Sequence, residues 1–409
     1  MSARAGALLL LGLVLACSCD RRPRATGGSA PSGTGVASGK TSAQPGPLST
    51  SSVAEATRPE AKSEHQQPAL PYGALSSSWK LGEVQDLGPA GPMTASDAGV
   101  VFVTLDDRVL VARRREQSFD ALGEPPEVFA KYGRGPGLSR THAYWIAPRG
   151  ELRRAPLGRN SAGSSVASAR SGTRVSVQTV LGRDVVAYVA GPDEHPRAFV
   201  WADGNEPLAL SEDASTALSV ELVAGSPHPR ALVLEGGLGL SPLHQRTVRV
   251  TKRHLNLGPD EVVWVGPGAQ PLTELSALGL ADGRAAVFLA VSRDITRFGL
   301  AYFPLEDGGA LRGEPDWRLY PNGIDPAPVV AEHLCGGDYV FYVLPTEAMP
   351  RSPQELRVAR RGSTGQLEHE EILVRSRAFN DISVAAAGGG AVLSWTADRR
   401  TWGAFISCP

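Results

Sequence analysis

Cysteine is the most reactive residue type in this chain of 409, and its four copies fall in two distant pairs, Cys17 with Cys19 and Cys335 with Cys408. The pairs need separate explanations, because a thiol can be acylated, oxidised or bound to a metal according to its setting. The eight histidines include no two at metal-ligand spacing. His65 lies in a polar stretch, and the others fall mostly at expected strand ends and turns, where a solvated imidazole is common. No Gly-x-Ser-x-Gly elbow, phosphate-binding loop or Asp-x-Asp-x-Asp-Gly calcium loop is present. Gly236-Gly237-Leu238-Gly239 lacks the strand-to-helix setting of a dinucleotide site and reads as a turn. No catalytic residue, metal or cofactor is therefore expected. With 41 basic against 42 acidic residues, no global field draws the chain to nucleic acid.

The first cysteine pair ends an export-type segment. Arg4 supplies the positive charge, and residues 5–16 are uncharged and apolar. That stretch is short of the roughly 20 residues a permanent membrane helix needs. It ends in Val14-Leu15-Ala16-Cys17, which resembles the lipobox of bacterial lipoproteins: aliphatic residues, a small residue, then cysteine. The resemblance implies a diacylglycerol thioether on Cys17, cleavage before it, and anchoring by acyl chains at about 0.8 kcal/mol per buried methylene. Cys19 is the second candidate, since Ala16-Cys17-Ser18-Cys19 sets a small residue before it as well. Ser18 following Cys17 implies the outer membrane, whereas Asp20 following Cys19 implies inner-membrane retention. An ordinary cleaved signal peptide is the third reading. The domains expected are a signal peptide over 1–16, a lipidated tether over 17–75 and a folded domain over 76–409.

The tether is Ser, Gly, Pro, Ala and Thr with scattered charge and almost no large apolar side chain. Nothing in it offsets the entropy of ordering. As a flexible coil of roughly 58 residues it reaches on the order of 40 Å.

After Trp79 the chain turns to short β-branched and aromatic runs between Gly, Pro and Asp turns. The strongest runs centre on 102, 145, 187, 233, 288, 341 and 393, steps of 42 to 55 residues. Units of that length built from four short strands mark propeller blades. Around Phe341 the four strands can be read off in order, with the apolar run second, where neighbouring blades cover both faces. The last unit lacks one strand, and residues 80–88 form a strand without a unit. The expected fold is all-β: a seven-bladed β-propeller whose final blade is completed by that N-terminal strand, which removes an open edge. Two β-sandwiches are the rival architecture. In the wheel, Cys335 follows a first strand and Cys408 ends a third strand of the next blade. First and third strands run the same way, so a disulfide is expected in an oxidising envelope, against two unpaired buried thiols.

Tyr144-Trp145-Ile146-Ala147, followed by residues 151–158, resembles a YWTD-type propeller blade, with Ile146-Ala147 replacing Thr-Asp. Residues 396–402 resemble a sialidase Asp-box without its glycine. Both motifs are structural in their families and carry over no catalytic residue. Basic groups, Arg113-Arg114-Arg115, Lys252-Arg253 and Arg360-Arg361, end third strands on one face. Acids stand near them, so a neutralised rim is expected there, with lipid headgroups or a polyanion as the alternative contact. The second-to-third-strand loops form the opposite face, where propellers often bind ligands. There Asp193, Glu194, His195, His244, Asp294, Arg351, Arg399 and Arg400 are the candidate binding residues. The chain as a whole resembles secreted propeller lipoproteins of the scaffold type. That implies a membrane-tethered, non-catalytic module for an envelope protein or extracellular polymer. The alternative is a hydrolase or lyase on sugar or peptide, marked by convergent acids or histidines in the channel mouth.

Overall fold

A computed structural model of the chain describes residues 78–409, except 92, 105, 121, 123–134, 148–149, 158–162, 170–174, 192–194, 213–214, 226, 237–239, 268–273, 281–283, 293–297, 306–315, 320–327, 347–352 and 363–365. The expected signal peptide over 1–16, both N-terminal cysteines and the expected tether over 17–75 lie outside the described residues.

Each apolar run forms the second strand of a sheet. The seven are Gly99–Val103, His142–Ile146, Arg183–Ala190, Arg230–Gly236, Ala285–Ser292, Gly337–Pro345 and Gly390–Ala397, in blades 1 to 7. Before each lies an inner strand: Met93–Ser96, Gly137–Leu138, Ser176–Val180, Thr216–Val223, Glu274–Gly279, Val329–Leu334 and Phe379–Ala387. Every inner strand touches the inner strands of the blades before and after it, and the last touches the first. The ring closes on itself. Two separate sandwiches are excluded, and the chain is a seven-bladed β-propeller.

The packing follows the same order, with a separate hydrophobic core filling each of the seven seams. This is why the second strands are apolar on both faces: Val233 points into the blade 3–4 core, and Leu232 and Leu234 into the blade 4–5 core. The Tyr-Trp dipeptide of blade 2 likewise reaches both ways. The Tyr144 hydroxyl donates to Asp184 of blade 3 at 3.0 Å, and Trp145 Nε1 donates to Asp107 of blade 1 at 3.3 Å.

The N-terminal strand completes blade 7 in two pieces. Lys80–Leu81 and Gln85–Pro89 pair antiparallel with the third strand, Arg400–Ser407. Just upstream, Trp79 is buried edge-on against Tyr339 and Phe341 of blade 6, with ring centroids 5.1 and 6.3 Å apart. Cys335, in the turn after the blade 6 inner strand, is bonded to Cys408, with 5.6 Å between Cα atoms.

Blade 4 departs from the four-strand pattern. Its third strand, Leu240–Val250, is long enough to pair with two strands: Leu255–Leu257 on its second half and Glu261–Pro267 on its first. A bulge at Val263 sets the exposed Val262 and Val265 on one side of that added strand. The extra strand accounts for the longer step between the second strands of blades 4 and 5.

Candidate functional site

The inner strands surround a channel of about 480 Å³, lined mainly by main chain and small or aliphatic side chains. Its polar groups face the seams between blades rather than a common point. Ser383 Oγ of blade 7 accepts the Ala95 amide of blade 1 at 3.0 Å, and Thr94 Oγ1 donates to the Pro136 carbonyl ahead of blade 2 at 2.6 Å. Ser176 Oγ accepts the Leu222 amide of blade 4 at 2.9 Å and donates to Glu221 at 2.9 Å. Ser276 Oγ of blade 5 accepts the Ala331 amide of blade 6 at 3.0 Å.

Two further seams come close by other means. A Cβ on Gly137 would lie 2.6 Å from the Val175 carbonyl oxygen, and one on Gly279 would lie 2.3 Å from that of Ala224. Blades 2 and 3, and blades 4 and 5, are therefore in backbone contact that only glycine permits. The remaining seam, between blades 6 and 7, holds Glu332. Burial pushes its carboxyl up to about 7, while the Ala386 amide of blade 7 and His333 pull the other way.

Among the described residues, three acids line the channel, Glu221, Glu332 and Asp381, with His333 and no lysine or arginine. Glu221 holds Ser176, and Glu332 meets the Ala386 amide. His333 is exposed and hydrogen-bonds Asp338 at 2.9 Å. Among the described residues no group of three His, Cys, Asp or Glu could hold a metal ion.

The propeller has two unlike faces. One carries the turns from inner to second strands and from third to outer strands, and with them the disulfide. The other carries the second-to-third-strand loops that hold the candidate binding residues. Of these, Asp193, Glu194, Asp294 and Arg351 lie outside the described residues. His195 is exposed in the blade 3 loop, and Arg399 is exposed in the two-residue turn of blade 7 at φ 63°. Arg400 is engaged elsewhere: its guanidinium grips both carboxylate oxygens of Asp86 at 2.6 to 3.1 Å, fastening the closing strand.

His244 stands inside the blade 4 third strand rather than in a loop, with Nε2 3.3 Å from Glu235 and Nδ1 3.1 Å from Asp260. The bond to Glu235 pulls its pKa up, with Asp260 adding and burial opposing. Arg246 pairs with the same Asp260 at 3.2 Å. The four candidates among the described residues, His195, His244, Arg399 and Arg400, are therefore not brought together at one point. The polar residues that matter most for the channel, Thr94, Ser176, Ser276, Glu332 and Ser383, carried one readable signal. They are hydrogen-bonding side chains within the weak strand ahead of each apolar run.

No family model and no curated protein matches the chain. Solved structures of similar outline include the N-terminal domain of Nup159, at 10% identity and TM-score 0.48 over 81% of this chain and 95% of that one. A chain from the mitotic checkpoint complex matches at 13% identity and TM-score 0.49, over 88% and 100%. An Aleuria aurantia lectin bound to alpha-methyl-L-fucoside matches at 11% identity and TM-score 0.39, over 80% and 90%. Likenesses this distant say nothing about what this chain holds.

Proposed function

We propose that the chain is a bacterial envelope lipoprotein whose propeller is a binding module. The observation that carries the binding reading is the occupation of the channel's polar groups. Its hydroxyls, and the carboxylates of Glu221 and Glu332, bridge neighbouring inner strands. A convergent set of free acids and bases, which a hydrolase or lyase needs, would have left such groups aimed at the channel axis. Recognition then falls to the rim, and the loop face with His195 and Arg399 is the first candidate for an envelope protein or polymer. Support for the anchor is the sequence Val14-Leu15-Ala16-Cys17 and the polar stretch that follows it.

Two measurements on the native protein test this. Mass spectrometry of the mature N-terminus should find Cys17 acylated; an unmodified terminus, or one starting at another residue, removes the Cys17 anchor. Photocrosslinking from position 399 in envelope membranes should give one discrete adduct, lost when residues 191–196 are replaced by a short Gly-Ser loop. Adducts that ignore that replacement, or none at all, would remove the loop face from the reading.

A further inference from the structure

Seven non-glycine residues among those described have positive φ: Asp107, Glu116, Leu181, Cys335, His369, Asp398 and Arg399. Five are charged or polar, and Cys335 is held by its disulfide. Leu181 is the exception. It occupies the turn between the inner and second strands of blade 3 at φ 52°, ahead of Gly182 at φ 76°, with 68% of its surface exposed. A type I′ turn of this kind is made at least cost by Asn-Gly. Leucine there strains the backbone and exposes an apolar side chain, and the fold gains nothing from either.

The turn is rigidly mounted beside a basic cluster. Arg183 donates to the Thr251 carbonyl and to Asn205 Oδ1, each at 2.6 Å, and Asn205 donates to the Arg253 carbonyl at 3.0 Å. Lys252, Arg253 and His254 follow Thr251 in an exposed turn. The nearby acids are Asp203, paired with Arg154 at 3.3 Å, Asp184, bound to Tyr144 and Thr179 hydroxyls, and the exposed Glu206. Among the described residues no carboxylate pairs with Lys252 or Arg253.

We infer that this turn face of blades 3 and 4 docks on an anionic lipid bilayer, with Leu181 entering the interface and Lys252 and Arg253 meeting headgroup phosphates. Two observations favour a bilayer as the occupant. The patch combines an apolar tip with unpaired cations, the complement of an anionic interface. The chain also joins the propeller on this same face, since Lys80 pairs with Ser407 beside the Cys335–Cys408 bridge, and the apolar residues 5–16 lie upstream of that junction. The inference rests on the lipoprotein reading for its setting, and its test separates the two.

The full-length protein, matured and purified from membranes, is placed in vesicles of phosphatidylcholine alone or with phosphatidylglycerol, and amide hydrogen exchange is followed. Exchange in 179–184 and 251–255 should slow by at least about threefold only when the anionic lipid is present. In a Leu181→Ser, Lys252→Glu, Arg253→Glu variant the slowing should vanish while the protein stays on the vesicles through its acyl chains. Equal exchange in both vesicle types, or slowing confined to the opposite face around residue 195, overturns the docking surface. If the protein carries no acyl chain, the lipoprotein reading fails alone. Binding to anionic vesicles that the triple variant loses then supports the patch, and binding that it keeps, or none, removes it.

Discussion

The seam between blades 6 and 7 and the turn face of blades 3 and 4 use unusual residues to opposite ends. At the seam, Trp79 buries its whole ring against Tyr339 and Phe341, Arg400 grips Asp86, and Cys335 is bonded to Cys408. These placements hold the first described residues and the last to the same blade, where a ring built from an open chain must be fastened. At the turn face, Leu181 takes a left-handed backbone and is largely exposed, and Lys252 and Arg253 have no carboxylate partner among the described residues. Neither placement lowers the free energy of folding. Where local rules are broken without structural gain, a contact outside the molecule is the physical account to test first.

Substitutions should separate the two regions by size and by sign. Trp79→Ala should lower the unfolding free energy by about 3–5 kcal/mol in urea titrations, because the cavity adds to the lost burial. A loss below about 1 kcal/mol would mean that the N-terminal segment does not lock the seam. Reduction of the disulfide, or Cys408→Ser, should cost about 4 kcal/mol at most, since the bridge closes a loop with a sequence separation of 73 residues. Thiol titration of unfolded, unreduced protein should find neither Cys335 nor Cys408 free, and two free thiols there would remove the bridge.

Glu332 gives the seam a pH dependence. Its folded-state value, about 7, lies above the ordinary 4.5, so the unfolded chain ionises first as pH rises. This contribution is complete below pH 4.5, falls between 4.5 and about 7, and then levels off after a loss of about 3 kcal/mol. Subtracting the profile of Glu332→Gln from that of the native protein should isolate this slope, and a flat difference would place the carboxyl in water. The smallest effect has the opposite sign. Leu181→Asn should raise stability by about 1 kcal/mol by relieving the left-handed strain. A fall instead would show that the leucine is a packed part of the fold.

Much of the architecture was legible in the residue order. The seven apolar runs mark the seven second strands because a strand packed between two neighbours is apolar on both faces, and that pattern is local. The missing strand of the last blade and the spare strand at 80–88 could be matched because each is incomplete without the other. Blade 4 was harder. Residues 240–250 give no local sign that one strand will pair with two others, and His244, which reads as part of a loop, lies within that strand. Arg400 resembled a free binding residue until its partner, Asp86, arrived from the far end of the chain.

The sequence by itself determined the fold class, the number of blades and the closing strand. Each depends on periodicity or on residues adjacent along the backbone. Tertiary structure alone decided that Thr94, Ser176, Ser276, Glu332 and Ser383 join neighbouring blades, and that Leu181 stands strained beside Lys252 and Arg253. Those relations hold between residues 42 to 288 positions apart, for instance Thr94 with Pro136 and Ser383 with Ala95. Hydrogen bonds and solvent exposure depend on distance in space, which the order of residues does not contain until the ring has closed.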